Sequence, residues 1–208
     1  MTDPRPVLDP QLRSPFVVSP EIELEGKHVR LEPMRPEHAE ELFAVGDIAE
    51  IFRWMPRVVR DVVGMRDYIE TAMAERAAGT SVPFVTIDRV TRRVIGSTRF
   101  MNIDRANRGL EIGSTWLGRL HQRTSANSEA KVLMLEHAFD RLGAIRVEFK
   151  TDSFNEKSRA ALLRLGAKEE GARRHHVITA DGRLRDSVYY SILRHEWPAI
   201  RERLEARL

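Results

Sequence analysis

The most informative stretch of the chain starts with Leu110-Glu-Ile-Gly-Ser-Thr-Trp-Leu117 and continues to Gly166. Its first eight residues predict a β-strand, and the small, polar run Gln122-Arg-Thr-Ser-Ala-Asn-Ser128 predicts a loop. A helix over 129–142 and a second strand over 145–151 follow. A strand that leads into a helix through such a loop directs several backbone N–H groups to one point, at the positive end of the helix dipole. This arrangement predicts a pyrophosphate site.

A polar pair opens the next predicted helix. Asn155 and Ser158 lie one helical turn apart on one face, and the helix ends at Leu165-Gly166. This pair is where we expect chemistry. The alternative is that Asn155 only caps the helix and Ser158 supplies polarity in its first turn, because both residue types are common there.

Four short elements, taken in order, resemble one known family: Glu111-Ile112-Gly113, Glu129-Ala130, Asn155 with Ser158, and Leu165-Gly166-Ala167. The chain resembles the GCN5-related N-acetyltransferase (GNAT) superfamily over roughly residues 24–197 and, within it, the RimJ/RimL-type branch. The resemblance implies one α/β domain over 24–208, with a mixed, mostly antiparallel twisted sheet and helices on both faces. It also implies a splayed central strand pair and acetyl-CoA as the co-substrate.

Composition excludes several classes of site and protein. The 208 residues include no cysteine, which rules out disulfides, thiolate metal sites and cysteine nucleophiles. The net charge is only +3 with both signs interleaved, so no nucleic-acid partner is expected. His175 and His176 would point to opposite faces of a strand, and we predict no metal site. With no signal peptide and no long apolar run, we expect a soluble, cytoplasmic protein without a membrane segment.

The rest of the chain predicts strands and helices around one sheet. Residues 1–23 contain several prolines and predict an extended N-terminal arm. Strands are predicted over 28–32, 82–88 and 93–102, helices over 36–45 and 65–78, and a hairpin over 168–178 and 183–193 around Asp181-Gly182. Ile200, Leu204 and Leu208, spaced by four, predict a terminal amphipathic helix. Residues 47–60 show no clear period.

The resemblance assigns acetyl-CoA binding to the polar loop and its flanking elements. Residues 122–127 match the family's phosphate-binding motif with two departures, Ser125 and Asn127. Arg123 could pair bidentately with a phosphate, whereas Asn127 is also a good N-cap for a helix starting near Ser128. Taken alone, the loop could equally be a polar lead into a capped helix without a ligand. The predicted cofactor contacts are Trp116, Leu117, Gln122, Arg123, Thr124, Ser125, Ala126, Asn127, Ser128, Asn155 and Ser158.

The predicted catalytic residues are Glu111, Asn155 and Ser158. By resemblance, Glu111 would take the amine proton through water, and Asn155 would hold the pantetheine arm or an ordered water. Ser158 would donate a proton to the departing thiolate. Many relatives place a tyrosine acid one turn later, where this chain has Leu162, which cannot donate.

Glu111 also has an alternative interpretation as a salt-bridged strand residue beside Arg99 or Arg108. Glu148 and Asp152 are weaker base candidates on the next strand.

The predicted function is N-acetyl transfer from acetyl-CoA to a primary amine, either a peptide N-terminus or a small amine. Attack is expected to be direct, because no cysteine is available for a covalent intermediate. Phe52, Trp54 and Met55 are candidates for an apolar acceptor wall or for core packing. The alternative functions are a non-catalytic acyl-CoA-binding protein and, more weakly, an RNA-associated basic domain. The hairpin strands and terminal helix are candidate homodimer contacts.

Overall fold

The computed structural model describes residues 7–9, 12, 15–45, 48–55 and 57–206. The strands are β1 Leu24–Glu25, β2 Val29–Pro33, β3 Val82–Asp88, β4 Val94–Asp104, β5 Gly109–Leu117, β6 Arg146–Asp152, β7 Lys168–Ile178 and β8 Leu184–Leu193. The helices are α1 Ala39–Ala44, α2 Ile48–Phe52, α3 Val62–Ala77, α4 Ser125–Glu136, α5 Glu156–Leu165 and α6 Trp197–Glu205. A π-helical turn, His137–Arg141, extends α4. Short 3₁₀ turns lie at Pro36–His38, Arg119–His121 and Arg194–Glu196.

The eight strands form one sheet in the order β1-β2-β3-β4-β5-β6-β8-β7. All neighbouring pairs are antiparallel except β5 and β6, which run parallel. The predicted mixed, mostly antiparallel sheet is therefore confirmed.

The parallel pair separates soon after it begins. Its last paired residues are Glu111 and Glu148, although β5 continues to Leu117 and β6 to Asp152. Beyond this point β5 bulges, with Ser114 at a φ of 47° and a register shift against β4. A bulge bends its strand and increases the local twist, which here carries β5 away from β6. We call the resulting gap, between residues 112–117 and 149–152, the β5–β6 opening; it is the splayed pair expected from the resemblance.

Helices cover both faces of the sheet, as predicted. One core cluster joins the sheet to α4, α5 and α6 through side chains such as Leu135, Leu165 and Trp197. The other joins the opposite face to α1, α2 and α3 through Leu42, Phe52 and Ile69. Phe16 and Val18, in the predicted N-terminal arm, are buried in the first cluster, so this part of the arm packs on the domain. The predicted helix position at Leu208 lies outside the described residues.

Two helix starts differ from the sequence-based expectation because of their caps. α4 begins at Ser125 rather than at 129, since Thr124 is extended and its Oγ1 accepts a hydrogen bond from the Ala126 N–H at 3.2 Å. α3 begins at Val62 rather than at 65, since Asp61 accepts from the Gly64 N–H at 2.8 Å. The segment without a clear period contains the short helix α2.

Glu129 explains part of the motif Glu129-Ala130. Its buried carboxylate, on α4, accepts hydrogen bonds from the backbone N–H groups of Lys27, His28 and Val29 at 2.8, 2.7 and 2.7 Å. Lys27 and His28 lie in the turn between β1 and β2, and Val29 is the first residue of β2. A buried carboxylate requires such donors, and three charge-assisted bonds supply them. Glu129 thus fixes α4 to the start of the sheet.

Candidate active site

The predicted phosphate loop and the predicted polar pair meet at one edge of the sheet. The loop 122–128 follows the carboxyl end of β5, and Asn155 follows the carboxyl end of β6. Because β5 and β6 are parallel, these two ends lie at the same edge, on either side of the β5–β6 opening. In α/β sheets, ligands bind outside the carboxyl ends of such strands. This edge is the candidate active site.

The loop presents a helix N-terminus with a cation beside it. Ser125, Ala126, Asn127 and Ser128 form the first turn of α4, where backbone N–H groups point out of the helix. Thr124 binds the N–H of Ala126, so the cap is Thr124, and the sequence-based alternative of Asn127 as cap is wrong. Thr124 also donates to the His121 carbonyl at 2.8 Å.

Arg123 and Gln122 sit just before this helix. Arg123 is exposed and has a φ of 62°, so the chain turns sharply and leaves the guanidinium in solvent. Gln122 donates from Nε2 to the Leu117 carbonyl at 2.9 Å, which ties the loop to the end of β5. A helix N-terminus with an adjacent arginine fits the chemistry of a diphosphate.

Trp116 and Leu117 lie at the end of β5 and point to opposite faces. The Trp116 ring packs in the core with α2 and α3, and its centroid lies 5.7 Å from that of Phe52. Leu117 lies in the core on the α4 side. Both side chains are buried, so only their backbone could face the opening.

Asn155 caps α5. Its Oδ1 accepts a hydrogen bond from the Ser158 N–H at 3.1 Å, and both residues are half-buried. Asn155 therefore caps α5, and its role toward the cofactor stays a prediction. Leu162 is buried in the core, one turn beyond Ser158. The α5 face next to the site thus offers the Ser158 hydroxyl and no tyrosine.

Glu111 is a buried carboxylate at the last paired position of β5, with 3 % of its surface exposed. Its Oε2 accepts from Asn102 Nδ2 at 2.7 Å and lies 3.3 Å from Lys150 Nζ. A Cβ at position 113 would lie 2.8 Å from Oε1, which explains the glycine in Glu111-Ile112-Gly113.

The arginines considered in the sequence bind other groups. Arg99 binds Glu75 at 3.0 Å, and Arg108 donates to the carbonyls of Gly143 and Leu142 at 3.0 and 2.7 Å. The alternative interpretation was thus right that Glu111 forms an ion pair, and the cation in this pair is Lys150.

Comparison with known proteins identifies the family. The family model described as "Acetyltransferase (GNAT) domain" matches residues 28–168, which is more than half of the chain. This chain belongs to the GNAT acetyltransferase family.

Similar proteins support the branch as well. "Uncharacterized N-acetyltransferase p20" of Bacillus licheniformis is 34% identical over 137 residues, which are 66% of this chain and 76% of that protein. The crystal structure of a GCN5-related N-acetyltransferase from Brucella melitensis has a TM-score of 0.83 and 34% identity, covering 89% of this chain and 85% of that one. Mycobacterium smegmatis RimJ in complex with CoA-disulfide has a TM-score of 0.74 and 25% identity, covering 86% and 88%. The RimJ/RimL-type branch predicted from the sequence is confirmed.

The GNAT domain has a charged network on the sheet face opposite α4. Asp152 is fully buried and forms ion pairs with Arg183 and Arg185. Arg185 also donates to the Trp54 carbonyl at 3.1 Å, which connects β8 to the segment after α2. Burial lowers the pKa of Arg185, and Asp152 opposes this effect.

His176 belongs to the same face. Its ring contacts the Ser187 hydroxyl at 3.1 Å and the Tyr189 hydroxyl at 3.4 Å. Burial lowers the pKa of His176, and the nearby Lys150 adds to this. The structure places this histidine half-buried in the network.

Beside this network lies a cavity of about 630 Å³. Its walls come from the segment around α2, from residues 58–60 and from the β7–β8 turn. Phe52 and Met55 line it, whereas Trp54 does not, and Arg53, Arg60 and Asp181 contribute charged groups. Phe52 lines the cavity and also belongs to the core, where its ring packs edge-on against Tyr68 with the two centroids 5.3 Å apart.

Three residues at or near the candidate site were missed by sequence reasoning: Asn102, Lys150 and Lys131. Asn102 reaches Glu111 from a bulge in β4, at a φ of 49° that Asn tolerates well. Lys150 lies on β6, where partly exposed and buried positions alternate. This alternation is the one signal from which its position could have been predicted. Lys131 is buried on α4 although its sequence neighbours give no sign of this.

In the described ranges of the chain, no three His, Asp or Glu side chains are grouped so that they could hold a metal ion. No helix in residues 15–45, 48–55 and 57–206 is both long and apolar enough to cross a membrane.

Proposed function

We propose that this GNAT domain transfers the acetyl group of acetyl-CoA to a primary amine by direct attack. One observation carries the proposal: the helix N-terminus of α4 and the cap of α5 flank the β5–β6 opening at the carboxyl ends of two parallel strands. A phosphate-binding end and a gap between strands are what a long, phosphorylated thioester requires.

The chain's own groups fit the parts of acetyl-CoA. The N–H groups of the first turn of α4 and the Arg123 guanidinium would hold the diphosphate. The backbone at Trp116 and Leu117 and the Asn155 amide would hold the pantetheine arm in the opening. When bound, acetyl-CoA supplies the activated acetyl thioester.

Glu111 would act as the general base through a water molecule. Asn102 and Lys150 both contact Oε2, so they fix the carboxylate in place. A positioned base contributes about 10²–10⁴-fold to the rate of such proton transfers. The Ser158 hydroxyl at the start of α5 is a candidate proton donor to sulfur.

The acceptor would be a peptide N-terminus or a small amine. The RimJ/RimL-type branch supports a peptide, and the cavity of about 630 Å³ is large enough for a peptide side chain. The predicted cytoplasmic location and homodimer stay predictions.

The first experiment is calorimetric titration of acetyl-CoA into the native protein and into the Arg123→Ala variant. We expect native binding and at least about tenfold weaker binding in the variant, because charge-assisted hydrogen bonds contribute about 1.5–3 kcal/mol. Arg141→Ala is the matched control, since Arg141 is exposed near the opposite end of the same helix.

Two other outcomes would change the proposal. If the native protein does not bind acetyl-CoA, the transferase function is wrong. If it binds acetyl-CoA but releases no CoA with any of a broad panel of peptides and amines, the non-catalytic acyl-CoA-binding alternative replaces it.

A further inference from the structure

Lys131 places a buried ammonium between the two strands of the β5–β6 opening. It lies on α4 with 6 % of its surface exposed. Its Nζ donates to Thr115 Oγ1 on β5 at 2.6 Å and lies 5.8 Å from the centroid of the Phe149 ring on β6. Thr115 and Phe149 both lie beyond the last paired residues of the two strands. The ammonium therefore lies between the two strands, on the side of the sheet that faces α4.

The groups around Lys131 stabilise its positive charge only weakly. Thr115 Oγ1 is 2.7 Å from Thr98 Oγ1, and Thr98 contacts the Met134 sulfur at 3.6 Å, so the hydrogen-bond chain ends in the core. Burial lowers the pKa of Lys131 to about 7, and the more distant charge of Glu111 opposes this shift only in part. A buried cation without a directly bonded anion is costly to the fold.

We propose that the Lys131 ammonium stabilises the thiolate of CoA by its charge as the sulfur leaves the acetyl group. This role rests on the proposed function, which brings the thioester into the opening. It makes Lys131 a catalytic residue supplied by α4.

In the transfer step, the acceptor nitrogen forms the new N–C bond, and its proton goes to Glu111 through water. The C–S bond breaks with its electron pair on sulfur, and the resulting thiolate is paired with the Lys131 ammonium. The thiolate takes up a proton from solvent when CoA leaves.

Charge distinguishes Lys131 from Ser158 as a partner of the sulfur. A cation beside a thiolate favours the charged form of the sulfur. The Ser158 hydroxyl is neutral, and the Leu162 side chain has no polar group.

The test measures the pKa of the CoA thiol in its complex with the native protein, from the ultraviolet absorbance of the thiolate as pH is varied. The chain contains no cysteine, so the signal comes from CoA alone. An adjacent ammonium lowers thiol pKa values to about 7.5 or below. We expect the bound thiol to titrate at least about one pH unit below free CoA in the native protein, and this lowering to be lost in Lys131→Met.

Lys168→Met is the matched control, because Lys168 lies on edge strand β7 with 74% of its side chain exposed. It should keep the lowered value. A bound thiol that titrates like free CoA in the native protein overturns the role of Lys131, whether or not the Lys131→Met variant folds. An unchanged lowering in a folded Lys131→Met variant overturns it as well. Absence of CoA binding in the native protein rejects the proposed function instead, so the two failures are distinguishable.

Discussion

The two faces of strands β6 and β8 have opposite chemistry although the residues alternate along the same backbone. The face toward α4 and α5 carries Val147, Phe149, Val188, Tyr190 and Ile192, all nearly fully buried. The other face carries Lys150, Asp152, Arg185, Ser187 and Tyr189. Both faces are largely removed from water, but only one is apolar.

The two faces contribute differently to the free energy of folding. Burial of apolar area on the first face contributes about 25 cal/mol per Å² to the free energy of folding. Buried charges on the second face must recover their lost hydration from each other, which they do at best in part. The charged face therefore contributes less to stability than the apolar face does. Lys131 breaks the pattern, because it places a charge on the apolar side.

The largest expected effect is on the charged face. We expect Asp152→Ala to lower the free energy of unfolding by about 3–5 kcal/mol, because it leaves Arg183 and the buried Arg185 without their carboxylate. Urea denaturation measures this change. Asp67→Ala, at an exposed position in α3, is the control and should change stability by less than about 0.5 kcal/mol. A loss below about 1 kcal/mol for Asp152→Ala would show that the ion pairs are dispensable and that the two faces differ less than we infer.

The next effect is on catalysis at the boundary between the faces. We expect Glu111→Gln to lower kcat/KM by about 10²-fold or more, since the amide cannot accept the proton. Affinity for acetyl-CoA should not change, because the contact from Asn102 is retained. Steady-state kinetics with an acceptor found in the panel measures the loss.

Glu148→Gln is its matched comparison, since Glu148 faces Glu111 in the strand register and pairs with Arg146 at 2.9 Å. It should retain most of the activity. The opposite result, with Glu148→Gln inactive and Glu111→Gln active, would show that the general base is Glu148 on β6.

A smaller effect concerns the charge on the apolar face. We expect Lys131→Met to raise the free energy of unfolding at pH 7 by about 1–3 kcal/mol, because it replaces a buried cation by an apolar chain of similar length. The pKa of Lys131 falls from 10.5 in the unfolded chain to about 7 in the folded one. Between these values the unfolded chain binds a proton that the folded chain does not, so native stability from this group falls as pH decreases toward 7.

The advantage of methionine should therefore be greater at pH 7 than near pH 10, which thermal unfolding at the two pH values measures. An advantage that is equal at both values would contradict the buried, titrating ammonium.

The smallest effect tests the helix start at the candidate site. We expect Thr124→Ala to lower the free energy of unfolding by about 1 kcal/mol, through loss of the cap on the Ala126 N–H. Asn127→Ala, in the first turn of the same helix, should cost clearly less because Asn127 is not the cap. Chemical denaturation of both variants measures the difference, and the reverse ranking would restore the helix start expected from the sequence.

Much of the fold could be predicted because local signals agree with the tertiary structure. The strands 82–88 and 168–178 have the bounds expected from their patterns, and Gly166 ends α5 with a φ of 102° that favours glycine. The start of α4 was misplaced because Thr124 and Asn127 both have cap chemistry, and only the backbone conformation distinguishes them. Helix α2 depends on contacts of Phe52 with Tyr68 and Trp116, which are distant in sequence.

The candidate site was less predictable for the same reason. The loop and Asn155 carry local signals, whereas the partners of Glu111 come from β4 and β6 and are set by the sheet register. Lys131 looks like an ordinary surface lysine on a helix. Its burial results from how α4 lies over the β5–β6 opening, which no short window of sequence contains.

The Glu129 carboxylate also has a consequence for the order in which the chain can fold. It binds residues that precede it by 100 to 102 positions. Contacts between such distant residues form late, because the intervening chain must first be brought together. During synthesis, the β1–β2 turn leaves the ribosome long before its anchor on α4 has been made. The N-terminal hairpin must therefore wait for α4, so the first part of the sheet to be synthesised is among the last to be secured.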